Sequence, residues 1–250
     1  MPKKLFRLIV IIAFFSGMSS YAALPETIAQ VKPSIVGIGT YSRIAKPNSR
    51  FLGTGFFVKS SEYVATNAHV VPDTLDDKTR EKLVVFVGTG RKPKTHIAEV
   101  VVIDHRYDLA ILKISGANSP AMKLSRQTVR EGEEYAFTGF PIGSVLGLYP
   151  VTHQGIVSSI TPIVIPARTS KELTIHQLKS LREPYKVYQL DATAYPGNSG
   201  SPVYHKETGE VVAVINKVLV KSTKESALTD PTAITYAIPI KYLYQMLKQL

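Results

Sequence analysis

From residue 34 onward, apolar positions come in short runs rich in Val, Ile, Phe and Tyr, broken by clusters of Gly, Pro, Asn, Asp and Ser. That rhythm belongs to strands and tight turns, not to long amphipathic helices. It predicts strands over 34–41, 51–58, 63–66, 83–87, 96–103 and 108–114, then over 134–138, 149–160, 186–192, 201–204, 210–220 and 233–238. An all-β layout of two six-stranded antiparallel barrels follows, because closing each set removes its exposed edges. Residues 115–133 are poorer in strand formers, contain Gly116, Asn118 and Pro120, and read as the crossover between the halves.

Helical spacing is confined to the margins. Residues 25–31 fit a short amphipathic helix and the tail 239–250 a second, C-terminal one. Within 166–183, Leu173, Ile175, Leu178 and Leu181 fall near helical spacing among Lys171, Lys179 and Arg182. That segment reads as a surface insertion, decorative in the first instance, with gating of a cleft as its functional alternative.

The first 22 residues follow another pattern. Lys3, Lys4 and Arg7 precede an apolar run over 8–15 and then small and polar residues, which is the layout of a secretory signal peptide. Ser20 and Ala22 occupy the −3 and −1 positions of a cut before Ala23. The run is shorter than the roughly 20 residues that span a bilayer, which argues against an uncleaved anchor. Export follows, to a periplasm or beyond, with no stable membrane anchor once the leader is removed.

The chain has no cysteine, so export brings no disulfide framework and no thiol nucleophile. Its formal charge is +11, which loss of Lys3, Lys4 and Arg7 lowers by three to +8. Such a charge can steer acidic partners or anionic surfaces toward the protein. A solubilising surface is the preferred account of it, and no nucleic-acid partner is expected.

The sharpest chemical feature is Pro196-Gly197-Asn198-Ser199-Gly200-Ser201-Pro202, a serine set between glycines after an apolar run. Gly197 can adopt angles closed to other residues, so its N–H and that of Ser199 can converge as an oxyanion hole. Asn and Gly are also the residues that ordinary turns select, so the case rests on partners elsewhere. His69, in Thr66-Asn67-Ala68-His69-Val70, follows a short strand within a compact turn and suits a general base. Asp108 stands at the mouth of the apolar strand Leu109-Ala110-Ile111-Leu112, where a carboxylate demands a partner. Asp104 precedes a turn and reads as a turn residue, and His96, His105, His153, His176 and His205 read as structural. The chain order His, Asp, Ser is that of chymotrypsin-like barrels, not of subtilisins or α/β-hydrolases. The scattered histidines offer no ligand spacing for a metal, and no cofactor is implied.

Over most of residues 30–245 the chain resembles the HtrA/Deg-type trypsin-like serine peptidases. The resemblance rests on Gly53-Thr54-Gly55-Phe56, Thr66 to Val70, Asp108 to Ile114, Gly139-Phe140-Pro141-Ile142-Gly143, Gly155-Ile156-Val157-Ser158, Gly197 to Pro202 and Ala237-Ile238-Pro239. It implies a chymotrypsin fold over residues 23–250, with barrels at about 33–115 and 130–240, and an endopeptidase acting on proteins or peptides. It also implies a triad of His69, Asp108 and Ser199 with an oxyanion hole at Gly197 and Ser199. The chain leaves no room for the PDZ module that family members often carry, and Ser201 stands where the family usually has glycine. Gly-Asn-Ser-Gly-Ser-Pro is instead similar to the glutamyl endopeptidases, but Asn216 occupies the position of their specificity histidine. Ala194, Ile215 and Lys217 would line the same pocket with no acidic residue at its base, so aliphatic side chains are expected ahead of Lys or Arg. Lys217, were it to point inward, would favour an acidic side chain. A binding or chaperone-like protein with a latent site is the rival from another class, and a basic envelope-binding protein a third.

Overall fold

The structure, a computed structural model, describes residues 24–141, 147–163, 184–218 and 234–250. The leader and the 166–183 segment lie outside the described residues, as do the side chains of Lys217 and Val218.

Helix α1 (Leu24–Val31) leads into β1 (Ile35–Tyr41), β2 (Ser49–Val58), β3 (Tyr63–Thr66), β4 (Lys82–Val87), β5 (Lys94–Ile97), β6 (Glu99–Asp104) and β7 (Leu109–Lys113). The second half contains β8 (Glu134–Gly139), β9 (Val151–Pro162), β10 (Lys186–Asp191), β11 (Pro202–His205), β12 (Val211–Val218) and β13 (Ile234–Pro239), followed by helix α2 (Ile240–Leu247). Among the described residues these strands pair with one another antiparallel throughout. Strands β8 to β13 form a closed six-stranded barrel.

The first half is a seven-stranded sheet in the order β5-β4-β1-β2-β3-β7-β6. The continuous strand expected at 96–103 is divided at Ala98, whose N–H donates to the carbonyl of Leu83 at 3.0 Å. Before Ala98 the chain pairs with β4, and after it with β7, at the opposite side of the sheet. One residue therefore joins the two edges, and the sheet has to curl until they meet there. The first half is thus a curled half-barrel sheet of seven strands beside the closed six-stranded barrel of the second.

Alternation along the strands explains why so many run apolar on both faces. In β4, Leu83 and Val85 fill the interior of the first half, whereas Val84 and Phe86 belong to a cluster shared with the second. In β7, Ala110 and Leu112 face the first interior while Leu109 and Ile111 face the shared cluster. The second barrel repeats the arrangement, with Tyr135 and Phe137 inward and Ala136 in the shared cluster. With period-two geometry, both barrels spend one face on their own core and part of the other on each other. Each fully buried Val, Leu, Ile or Phe contributes roughly 1.5–3 kcal/mol to that packing. Helix α2 closes the shared layer: Tyr242 stacks on Tyr107 with ring centroids 4.0 Å apart, and Tyr185 meets Tyr107 edge-on at 4.9 Å.

Candidate active site

Strand β3 ends at Thr66, Asn67 remains extended, and Ala68–Val70 form one 3-10 turn. Ala68 and Val70 are buried and anchor the turn, which leaves the intervening His69 side chain 38% exposed. Opposite it, Asp108 sits in the left-handed region at φ 52° between the 104–107 turn and β7. Asp is among the residues that tolerate this conformation, and here it turns the carboxylate back toward His69.

The grip is double. Asp108 Oδ1 accepts the His69 backbone N–H at 2.9 Å, and Oδ2 lies 2.6 Å from His69 Nδ1. An ionised carboxylate only accepts, so the neutral ring carries its proton on Nδ1 and leaves the Nε2 lone pair free to take another. Asn67 Nδ2 donates to the Asp108 carbonyl at 3.0 Å and ties the two segments together a third time. Asp104 does what its sequence setting suggests: its Oδ1 accepts the N–H groups of Arg106 and Tyr107 at 2.9 and 3.2 Å, closing the turn before Asp108.

Ser199 lies in the turn between β10 and β11 and is partly buried. Gly197 and Gly200 have φ values of 102° and 86°, which only glycine adopts without strain. Inside the turn, Asn198 N–H donates to Tyr195 O and Ser201 N–H to Asn198 O, both at 3.0 Å, and Gly200 N–H reaches Ile215 O at 2.9 Å. Among the described residues the N–H groups of Gly197 and Ser199 are left uncommitted by these bonds.

The turn docks against β2 and β3, the strands that carry His69. Ser199 O accepts the Thr54 N–H at 2.9 Å. A Cβ on Gly53 would lie 3.1 Å from Ser199 O and 2.8 Å from a methyl of Val70, so a side chain there would wedge the serine turn from the histidine turn. A Cβ on Gly200 would fall 2.0 Å from Thr54 O. The serine turn and the histidine turn are thus brought against the same strands by backbone contact that glycines alone permit.

Ala194 and Ile215 are buried, 2% and 0% exposed, in the core of the second barrel beside the serine turn. Asn216 is buried next to Ile215, where the β12 register against β13 shifts between Ile215 and Val218. His153, read as structural, stacks on Phe137 with centroids 4.8 Å apart, and burial holds its pKa below the ordinary histidine value. Burial, and then the charge of Asp108, push the Tyr185 phenol up. Two contributors went unassigned in the sequence. Asn67 and Thr54 lie inside the motifs around His69 and Gly53, but only their bonds to Asp108 and Gly197 reveal what they hold.

Comparison with known proteins bears on the family and the fold. The trypsin-like peptidase domain model matches residues 53–214. A probable periplasmic serine endoprotease, DegP-like, of Halomonas elongata is 30% identical over 203 residues, covering 80% of this chain and 35% of that protein. The putative serine protease HhoB of Synechocystis sp. is 28% identical, covering 78% of this chain and 39% of that protein. This chain spans about a third of the length of the curated relatives it matches. Among solved structures, the active form of the Rv3671c protease from M. tuberculosis superposes with a TM-score of 0.66 at 21% identity, over 89% of this chain and 82% of that one. The HtrA-type protease AlgW with tripeptide gives 0.64 at 23%, over 91% of this chain and 63% of that one. Identities this low carry the fold alone.

Proposed function

The chain belongs to the trypsin-like peptidase family, and on that premise we propose that it is an exported serine endopeptidase with His69, Asp108 and Ser199 as its triad. The observation that carries the reading is the two-point hold of Asp108 on His69 beside a glycine-bounded serine turn. In the reaction, His69 Nε2 takes the Ser199 hydroxyl proton as Oγ bonds to the scissile carbonyl carbon. The carbonyl oxygen becomes an oxyanion held by the N–H groups of Gly197 and Ser199. The imidazolium, stabilised by Asp108, then gives its proton to the leaving amine as the C–N bond breaks. Water repeats the sequence on the acyl-enzyme, with His69 first as base and then as acid, and releases the carboxylic acid and free Ser199.

Export is proposed on the leader-like residues 1–22 and on relatives named periplasmic. No helix among the described residues is long and apolar enough to cross a membrane. The catalytic unit is proposed to be the whole of residues 23–250, since both halves contribute to the site. Protein or peptide substrates are the class such a site would take.

The test is labelling of the purified protein with a fluorophosphonate serine-hydrolase probe, beside Ser199→Ala. Labelling of the wild type and none of the variant is expected. A wild type that stays unlabelled under conditions where it is folded would overturn the reading and favour a binding protein with a latent site.

A further inference from the structure

Thr54 lies in Gly53-Thr54-Gly55-Phe56, a motif with no catalytic side chain of its own, and is completely buried. Its three polar atoms all reach other segments. The N–H donates to Ser199 O at 2.9 Å, and the carbonyl accepts the Thr66 hydroxyl at 2.7 Å. The Thr54 hydroxyl donates to Gly197 O at 2.7 Å and accepts the Phe140 N–H at 3.0 Å. Among the described residues it is the one side chain that hydrogen-bonds the backbone of residues 195–200.

The place of that bond matters. The peptide linking Gly197 to Asn198 is held at both ends: its oxygen by Thr54 Oγ1, and its N–H by Tyr195 O at 3.0 Å. The two uncommitted donors, Gly197 N–H and Ser199 N–H, belong to the peptides on either side of it. A glycine at φ 102° has no Cβ to resist rotation of its flanking peptides, so external bonds have to fix them. The surroundings leave no room for another device. A Cβ on Gly139 would lie 3.0 Å from Thr54 Oγ1 and 2.0 Å from Ser201 Oγ.

Resting on the reading of Gly197 and Ser199 as the oxyanion hole, we propose that Thr54 is its positioning residue: its hydroxyl sets the plane of the 197–198 peptide and thereby aims both donors. Thr54→Val keeps the shape and removes the donor, which frees the Gly197 carbonyl and leaves the Phe140 N–H unpaired. Thr54→Ser keeps the hydroxyl.

The experiment compares wild type, Thr54→Val and Thr54→Ser by two readouts. One is the second-order rate of fluorophosphonate labelling across pH. The other is amide hydrogen exchange of peptides covering residues 195–202. Loss of one oxyanion donor costs about 10²–10³-fold in rate, and loss of its alignment should cost part of that. Thr54→Val is expected to label about 10- to 100-fold more slowly with an unchanged pH midpoint, because the His69–Asp108 pair is untouched, and to exchange faster over 195–202. Thr54→Ser should restore both to within about threefold. Wild-type rates in Thr54→Val, unaltered exchange, or a serine variant that fails to restore a folded protein's rate would each overturn the proposal. If Thr54→Val does not fold, Thr54→Ala makes the same comparison. Should the wild type itself not label, the protease reading falls, while the exchange comparison still decides the role of Thr54.

Discussion

The Asp108 carboxylate serves two different donors with its two oxygens, and that division makes the residue hard to replace. Asparagine also tolerates the left-handed backbone found at position 108, so Asp108→Asn isolates the chemistry from the fold. In the variant one oxygen becomes an NH2 group. If the amide oxygen faces the His69 backbone N–H, the NH2 meets Nδ1 and forces the ring proton onto Nε2, where it blocks the base. If it faces the other way, two donors collide at the 2.9 Å contact with the His69 backbone N–H. Either way labelling of Ser199 is expected to slow on the order of 10⁴-fold with little change in melting temperature. A rate within tenfold of wild type would mean that Asp108 does not orient His69. This residue was legible in the sequence because an acid stood alone at the mouth of an apolar strand. Thr54 was not, because a threonine between glycines is an ordinary strand residue until its hydroxyl is seen to cross to another segment.

At the level of elements, the 130–133 turn that starts the second barrel gathers three hydrogen bonds on the Glu133 carboxylate. Glu133 accepts from the Arg130 backbone N–H at 3.0 Å, the Tyr135 hydroxyl at 2.7 Å and the Arg130 Nε at 2.7 Å. These bonds, the backbone one foremost, pull its pKa from 4.5 down to about 2. A carboxylate depressed in the folded state adds stability above its unfolded pKa and loses it as pH falls toward the folded value. The wild type should therefore lose stability between about pH 4.5 and 2 more steeply than Glu133→Gln, as read from urea midpoints across pH. Parallel curves would mean the turn is held by other bonds. Legibility differed among elements for a related reason. Strands such as Tyr63–Thr66 announce themselves through period and bounding turns. The break at Ala98 is fainter: Ala98 and Glu99 are weak strand formers inside an apolar run, and the bend itself comes from the change of partner from β4 to β7.

At the scale of the whole molecule, the proposed site draws its residues from two halves that pack on a shared layer. His69 and Asp108 come from the first half and Ser199 from the second, and no single segment of sequence reveals the distance between them. What the sequence carried was the order of the three residues and the apolar runs. What it could not carry was the shared layer, because a side chain buried between halves and one buried within a half read alike. In that layer Phe56, Val84, Leu109 and Ile111 of the first half pack in one cluster with Ala136, Tyr204, Val214, Ile238 and Leu243 of the second. Separating the halves would expose these at roughly 1.5–3 kcal/mol for each large side chain, a total at or above the net stability of a typical domain. The halves should therefore melt together: calorimetry is expected to give one transition whose van't Hoff and calorimetric enthalpies agree, with loss of labelling at the same temperature. Two resolved transitions, with labelling lost in the first, would mean instead that one barrel stands without the other and that the shared layer only docks them.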